Sequence, residues 1–132
     1  MDGALQGDLL LVEDDPTNRM LVRAVLGRAS DARVRESHVT EAPTLAAARA
    51  ALATGRPTAV MLDVRLPDGN GLDLAREIAA MPAAARPRVV VMSASVLAAE
   101  RDAAVRAGCD AFLAKPFRPG DLTDLLADWL AS

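Results

Sequence analysis

Five side chains able to handle charge stand directly after short apolar runs. Glu13 and Asp14 follow DLLLV, Asp63 follows TAVML, Ser93 follows RVVVM, and Lys115 follows AFLA. Three carboxylates gathered in one crevice repel one another and call for a cation. Oxygen ligands with few protein donors favour Mg2+, which keeps several waters and accepts phosphate oxygens. Lys115 is the only lysine among 15 basic residues, the rest being arginine. A flexible point charge can pair with a carboxylate at rest and with a phosphoryl oxygen afterwards. Pro116 pins the backbone behind it, at a bond type that can adopt the cis form. These residue types point to phosphoryl chemistry at a carboxylate, with a hydroxyl and an ammonium beside it.

For the five to meet, the runs before them must be neighbouring strands. Residues 8–12, 58–62, 88–92 and 111–114 are too short for helices and do not alternate in polarity. That suits parallel strands buried on both faces. A weaker fifth candidate is SHVTEA at 37–42. Helical patterns lie between the runs. Residues 16–29 put Thr17, Met20, Leu21, Ala24 and Val25 on one stripe, and 44–54 put Leu45, Ala48 and Leu52 on another. Residues 71–81 carry Leu74, Ala75, Ile78 and Met81, and 119–131 give a clean stripe ending in Trp129 and Leu130. Residues 96–107 are the least apolar.

Strand and helix alternate five times, which predicts a doubly wound α/β domain with right-handed crossovers. Ligands of such sheets bind beyond the carboxyl ends of the strands, where the five residues stand. Asp15-Pro16 reads as an N-cap and first helical residue, which leaves Glu13 and Asp14 to face the crevice. The polar stretch GRASDARVRES at 27–37 is expected to be a flexible loop.

Composition narrows the function classes. The 132 residues suit one domain over 1–132, with no output domain expected. Apolar residues make up 52%, but no window is long enough to span a bilayer. Net charge is −3 and no arginines cluster into a basic patch, so nucleic-acid binding is not expected. Cys109 is the one cysteine, which excludes an internal disulfide or a cysteine-based zinc set. MDGALQGD lacks the features of a signal peptide, and a cytoplasmic location is expected.

Taken in order, LLVEDDPTNR, VMLDVRLPDGNGLDL, VVVMSAS and AFLAKPF resemble the receiver domain of two-component response regulators. The spacing agrees, with Asp63 preceding Ser93 by 30 residues and Ser93 preceding Lys115 by 22. The resemblance implies a flavodoxin-like (βα)5 fold with strand order 2-1-3-4-5. It implies that Asp63 is the phosphoacceptor and that Mg2+ is held by Glu13, Asp14, Asp63 and the backbone carbonyl of Arg65. Ser93 and Lys115 would each take a phosphoryl oxygen. Phe112 would be an aromatic switch residue, the alternative being a plain core phenylalanine. Arg65 and Ser95 occupy positions that tune phosphate loss. Glu13 stands where aspartate is more usual, and keeps the charge on a longer arm. The implied donor is a histidine kinase or a histidine phosphotransfer protein. The implied readout is contact with a downstream protein target, and a phosphorylation-dependent homodimer stays open.

Such a chain would be a stoichiometric phosphoacceptor rather than a turnover enzyme. Three other readings remain. One is a phosphorylation-independent adaptor, which would need none of Glu13, Asp14, Asp63, Ser93 and Lys115. Another is a receiver fragment of a hybrid histidine kinase. The third is a phosphatase of the haloacid dehalogenase type, which needs a second aspartate where Arg65 stands. His38, the only histidine, reads as a half-exposed strand residue.

Overall fold

The computed structural model describes residues 7–94 and 97–131. Ser95 therefore lies outside the described residues. In chain order the elements are β1 (Asp8–Val12), α1 (Pro16–Gly27), α2 (Ala32–Arg35), β2 (His38–Ala42) and α3 (Leu45–Thr54). They continue with β3 (Ala59–Asp63), β4 (Arg65–Leu66), β5 (Gly69–Asn70), α4 (Gly71–Ala79), β6 (Arg88–Ser93), α5 (Ala98–Arg106), β7 (Ala111–Ala114) and α6 (Pro119–Ala131). Five strands form one parallel sheet in the order β2-β1-β3-β6-β7. This is the flavodoxin-like order expected, and β4 and β5 make a separate small antiparallel hairpin.

The apolar runs form strands because both faces of the sheet are covered. Successive strand residues point to opposite faces. Leu10, Val12, Val60, Leu62, Val89 and Val91 join one core with α3, α4 and α5. Leu9, Leu11, Met61, Val90 and Met92 join the other with α1, α2 and α6. Helix starts carry their own signals. Asp15, Thr44 and Asn70 cap α1, α3 and α4 through side-chain oxygens that accept from Thr17, Ala47 and Leu72 amides.

Two expectations need correction. The 27–37 segment is not an unstructured loop, because α2 forms inside it. Asp31 caps this turn, accepting the Arg33 amide at 2.8 Å, and Val34 is completely buried. Val34, with Ala29 ahead of it, thus anchors the polar run in a way that no periodicity reveals. The stripe on α1 also differs. Met20 and Leu21 are 70% and 59% exposed, while Val22 and Leu26 face the core. This helix has two overlapping apolar faces, and only the sheet beneath decides which is buried.

Candidate functional site

The site is built where β1, β3, β6 and β7 end. Glu13 comes one residue after β1, and its amide donates to the Ala42 carbonyl of β2 at 3.1 Å. Its side chain is only 1% exposed. One carboxylate oxygen accepts from Lys115 Nζ at 3.0 Å and the other from the Asp15 amide at 3.2 Å. Asp15 is occupied as the α1 cap, so Asp14 is left exposed at the mouth. Asp63 ends β3, and its Oδ2 lies 3.8 Å from Lys115 Nζ.

Glu13, Asp14 and Asp63 each offer a carboxylate oxygen within 4.8 Å of the others. That spacing and the all-oxygen chemistry fit a hard divalent cation such as Mg2+. The electrostatics agree. Burial pushes the Asp63 carboxyl up from 3.8 to about 6; Lys115 opposes the shift and the Glu13 charge adds to it. One ammonium does not offset two neighbouring carboxylates, and a bound cation would relieve the excess.

Ser93 closes β6 and is 5% exposed. It pairs in register with Ala114, and the Lys115 amide donates to its carbonyl at 2.7 Å. This ladder bond aligns the ends of β6 and β7, and the Lys115–Pro116 peptide that follows is cis. Phe112 lies further down β7, paired with Val91, half-buried against the α5 side of the core. The Arg101 guanidinium of α5 stacks over its ring at 5.1 Å. Arg65 is exposed and opens the β4–β5 hairpin opposite Asn70. The structure therefore brings Glu13, Asp14, Asp63 and Lys115 together. Ser93 stands at the same sheet edge, and Phe112 lies outside the immediate cluster.

Three supporting residues were not foreseen. A Cβ on Gly71 would fall 2.0 Å from the Asp63 carbonyl oxygen, and the Gly71 amide donates to Val64 at 2.7 Å. Only glycine lets α4 begin this close behind the phosphoacceptor candidate. The two glycines of PDGNG signal a turn, but not this approach. Asp68 accepts the Leu45 and Ala46 amides at 2.8 and 3.0 Å, tying the β4–β5 hairpin to the start of α3. Arg19 donates to the Glu13 carbonyl at 2.9 Å. The Asp68 contacts join distant parts of the chain, and the Arg19 contact spans the turn from β1 into α1, so no apolar run announces either. A cavity of about 470 Å³ adjoins the site, lined by Asn18, Leu21, Val25, Lys115 and Phe117 among others.

The chain is similar to known proteins in sequence and fold. The family described as Response regulator receiver domain matches residues 9–127. The KDP operon transcriptional regulatory protein KdpE of Escherichia coli is 35% identical over 87% of this chain and 47% of its own length. An uncharacterized 14.6 kDa protein of Leptolyngbya boryana is 29% identical over 98% of this chain and 94% of its own. The chain thus spans about half of the first relative and nearly all of the second. The crystal structure of the receiver domain of sensor histidine kinase PA1611 from Pseudomonas aeruginosa superposes with a TM-score of 0.80 at 31% identity. It covers 96% of this chain and 99% of that one, and it holds a magnesium ion in its active site cleft.

Proposed function

Because the chain belongs to the response regulator receiver domain family, we propose that it acts as a phosphorylatable receiver. It accepts a phosphoryl group on Asp63 from a histidine kinase or a histidine phosphotransfer protein. The observation that carries this reading is the convergence of Glu13, Asp14 and Asp63 beside the single lysine. Transfer breaks the P–N bond of a phosphohistidine and forms a P–O bond to an Asp63 oxygen. The departing imidazole takes a proton from solvent. Glu13, Asp14, Asp63 and the Arg65 carbonyl would hold Mg2+, which would supply positive charge to offset repulsion between the two anions. Lys115 pairs with one phosphoryl oxygen, and the Ser93 hydroxyl donates to another. Burial of the site limits competition from water for both bonds.

Asp63 works once per phosphoryl group, so the chain is a phosphoacceptor that catalyses its own gain and loss of phosphate. The acyl phosphate then biases packing around Ser93 and Phe112, and the change is read on α5, β7 and α6 by a downstream protein target. A phosphorylation-dependent homodimer is one form this readout can take. A cytoplasmic setting fits a kinase donor, and among the described residues no helix is long and apolar enough to cross a membrane. A second reading, the receiver part of a longer sensor kinase, is favoured by the likeness to the PA1611 receiver.

The test is incubation with Mg2+ and acetyl phosphate. One hydroxylamine-labile phosphate per chain is expected, absent in Asp63→Asn. No labelling would return the chain to a phosphate-independent adaptor, and repeated turnover of phosphoesters would make it a phosphatase.

A further inference from the structure

The peptide bond between Glu13 and Asp14 links two of the three clustered carboxylates. The preceding Val12–Glu13 peptide is held by the sheet, since Glu13 N–H donates to the Ala42 carbonyl. The Glu13 carbonyl lies beyond the last residue of β1, and a side chain takes it instead. Arg19, in the first turns of α1, donates from Nη1 to the Glu13 carbonyl at 2.9 Å. The same guanidinium donates from Nε to Glu41 on β2 at 3.1 Å. Arg23, one turn further along, takes the other Glu41 oxygen and also the Val39 carbonyl, the latter at 2.9 Å. A planar cation, itself largely buried at 19% exposed, thus runs from the second strand to the peptide plane of the acidic pair.

We propose that Arg19 is a positioning residue for the Glu13–Asp14 pair and that Glu41 orients it. This rests on reading those carboxylates as magnesium ligands. Fixing the Glu13 carbonyl fixes the peptide plane from which both ligand side chains depart. A guanidinium is suited to this because its fork serves two acceptors at once, which an ammonium on a single point does less well.

Two effects of Arg19 oppose each other, and their signs separate them. Its positive charge lies close to the acidic pair and repels a divalent ion there, so on charge alone its removal would tighten metal binding. Its hydrogen bond orders the ligand pair, so on positioning its removal weakens binding. Charge effects near solvent are damped by screening. Loss of a group that orients metal ligands typically costs 10-fold or more, so positioning is expected to win.

Calorimetric titration with MgCl2 of the wild type, Arg19→Ala, Arg19→Lys, Glu41→Ala and the Arg19→Ala/Glu41→Ala double variant tests this. Arg19→Ala is expected to weaken binding about tenfold, and Arg19→Lys to recover only part. Glu41→Ala is expected to weaken it about threefold, the loss of one hydrogen bond's worth of ordering. The double variant should bind no more weakly than Arg19→Ala. Without metal, hydrogen exchange in Arg19→Ala should quicken at the Asp14 and Asp15 amides while the β3 and β6 amides stay protected. Equal or tighter binding by Arg19→Ala overturns the proposal, as does a double variant that shows both losses in full. If Arg19→Ala does not fold, wild-type affinity in both Arg19→Lys and Glu41→Ala overturns it. A wild type that binds no Mg2+ instead overturns the metal reading of the site itself.

Discussion

Among the described residues Glu13 is the one charged side chain that is fully buried, and Lys115 is its close counter-ion. Lys115→Ala would strand that carboxylate, so a loss of about 2–4 kcal/mol is expected in denaturant unfolding at neutral pH without metal. Asp63 behaves in the opposite sense. Folding raises its pKa from 3.8 to about 6, so between those values the folded chain keeps a proton that the unfolded chain has released. The associated stability is fully present below the unfolded value and is lost as pH rises through about 6. Asp63→Asn should therefore stabilise the metal-free protein by about 1–2 kcal/mol at pH 7, with little effect at pH 4. Mg2+ must displace that proton, so its affinity should fall as pH drops below about 6. Arg65→Ala, exposed beside the acceptor, is expected to change the lifetime of the phosphorylated form, read by loss of label over time. An unchanged lifetime would remove Arg65 from that role. Glu13, Asp63 and Lys115 were legible in the sequence, because charge at the end of an apolar run is a local pattern; Arg65 came only with the family resemblance, and Arg19, Asp68 and Gly71 with neither.

At the scale of the element, the loops that carry these residues are braced from outside. Gly71→Ala would press a methyl into the Asp63 carbonyl, and a loss of about 2–3 kcal/mol together with slowed phosphorylation is expected. Asp68→Ala removes two acceptors from the α3 start and should cost about 1 kcal/mol, measured by the same unfolding. On α1 the exposed and buried apolar faces can be told apart by substitution. Leu26→Ala should cost about 2–4 kcal/mol, while Met20→Ser should stay within about 0.5 kcal/mol. The strands were readable because both of their faces are apolar, whereas the rotation of α1 was not. Its apolar residues wrap too far round the helix for spacing alone to choose a side. The α2 turn was missed for the reverse reason, since Val34 has an arginine on either side.

At the scale of the whole molecule, a bound metal would tie the ends of β1 and β3 together through Glu13, Asp14 and Asp63. Mg2+ at a hundredfold excess over its Kd should stabilise the fold by about 2.7 kcal/mol, roughly 10 °C in Tm. Asp63→Asn should lose most of that shift, which thermal scans with and without EDTA would show. The alternation of buried runs and helices dictated a parallel sheet, and the polar or charged residues after four of the five runs pointed to where its chemistry must sit. Those features are local, so the linear chain carries them. Which cation pairs with Glu13, how far Asp63 is desolvated, which face of α1 is covered and how Arg19 reaches Glu41 on β2 were settled only on folding. Each depends on residues that are far apart in the chain, and their distances exist only once the sheet has closed around both cores.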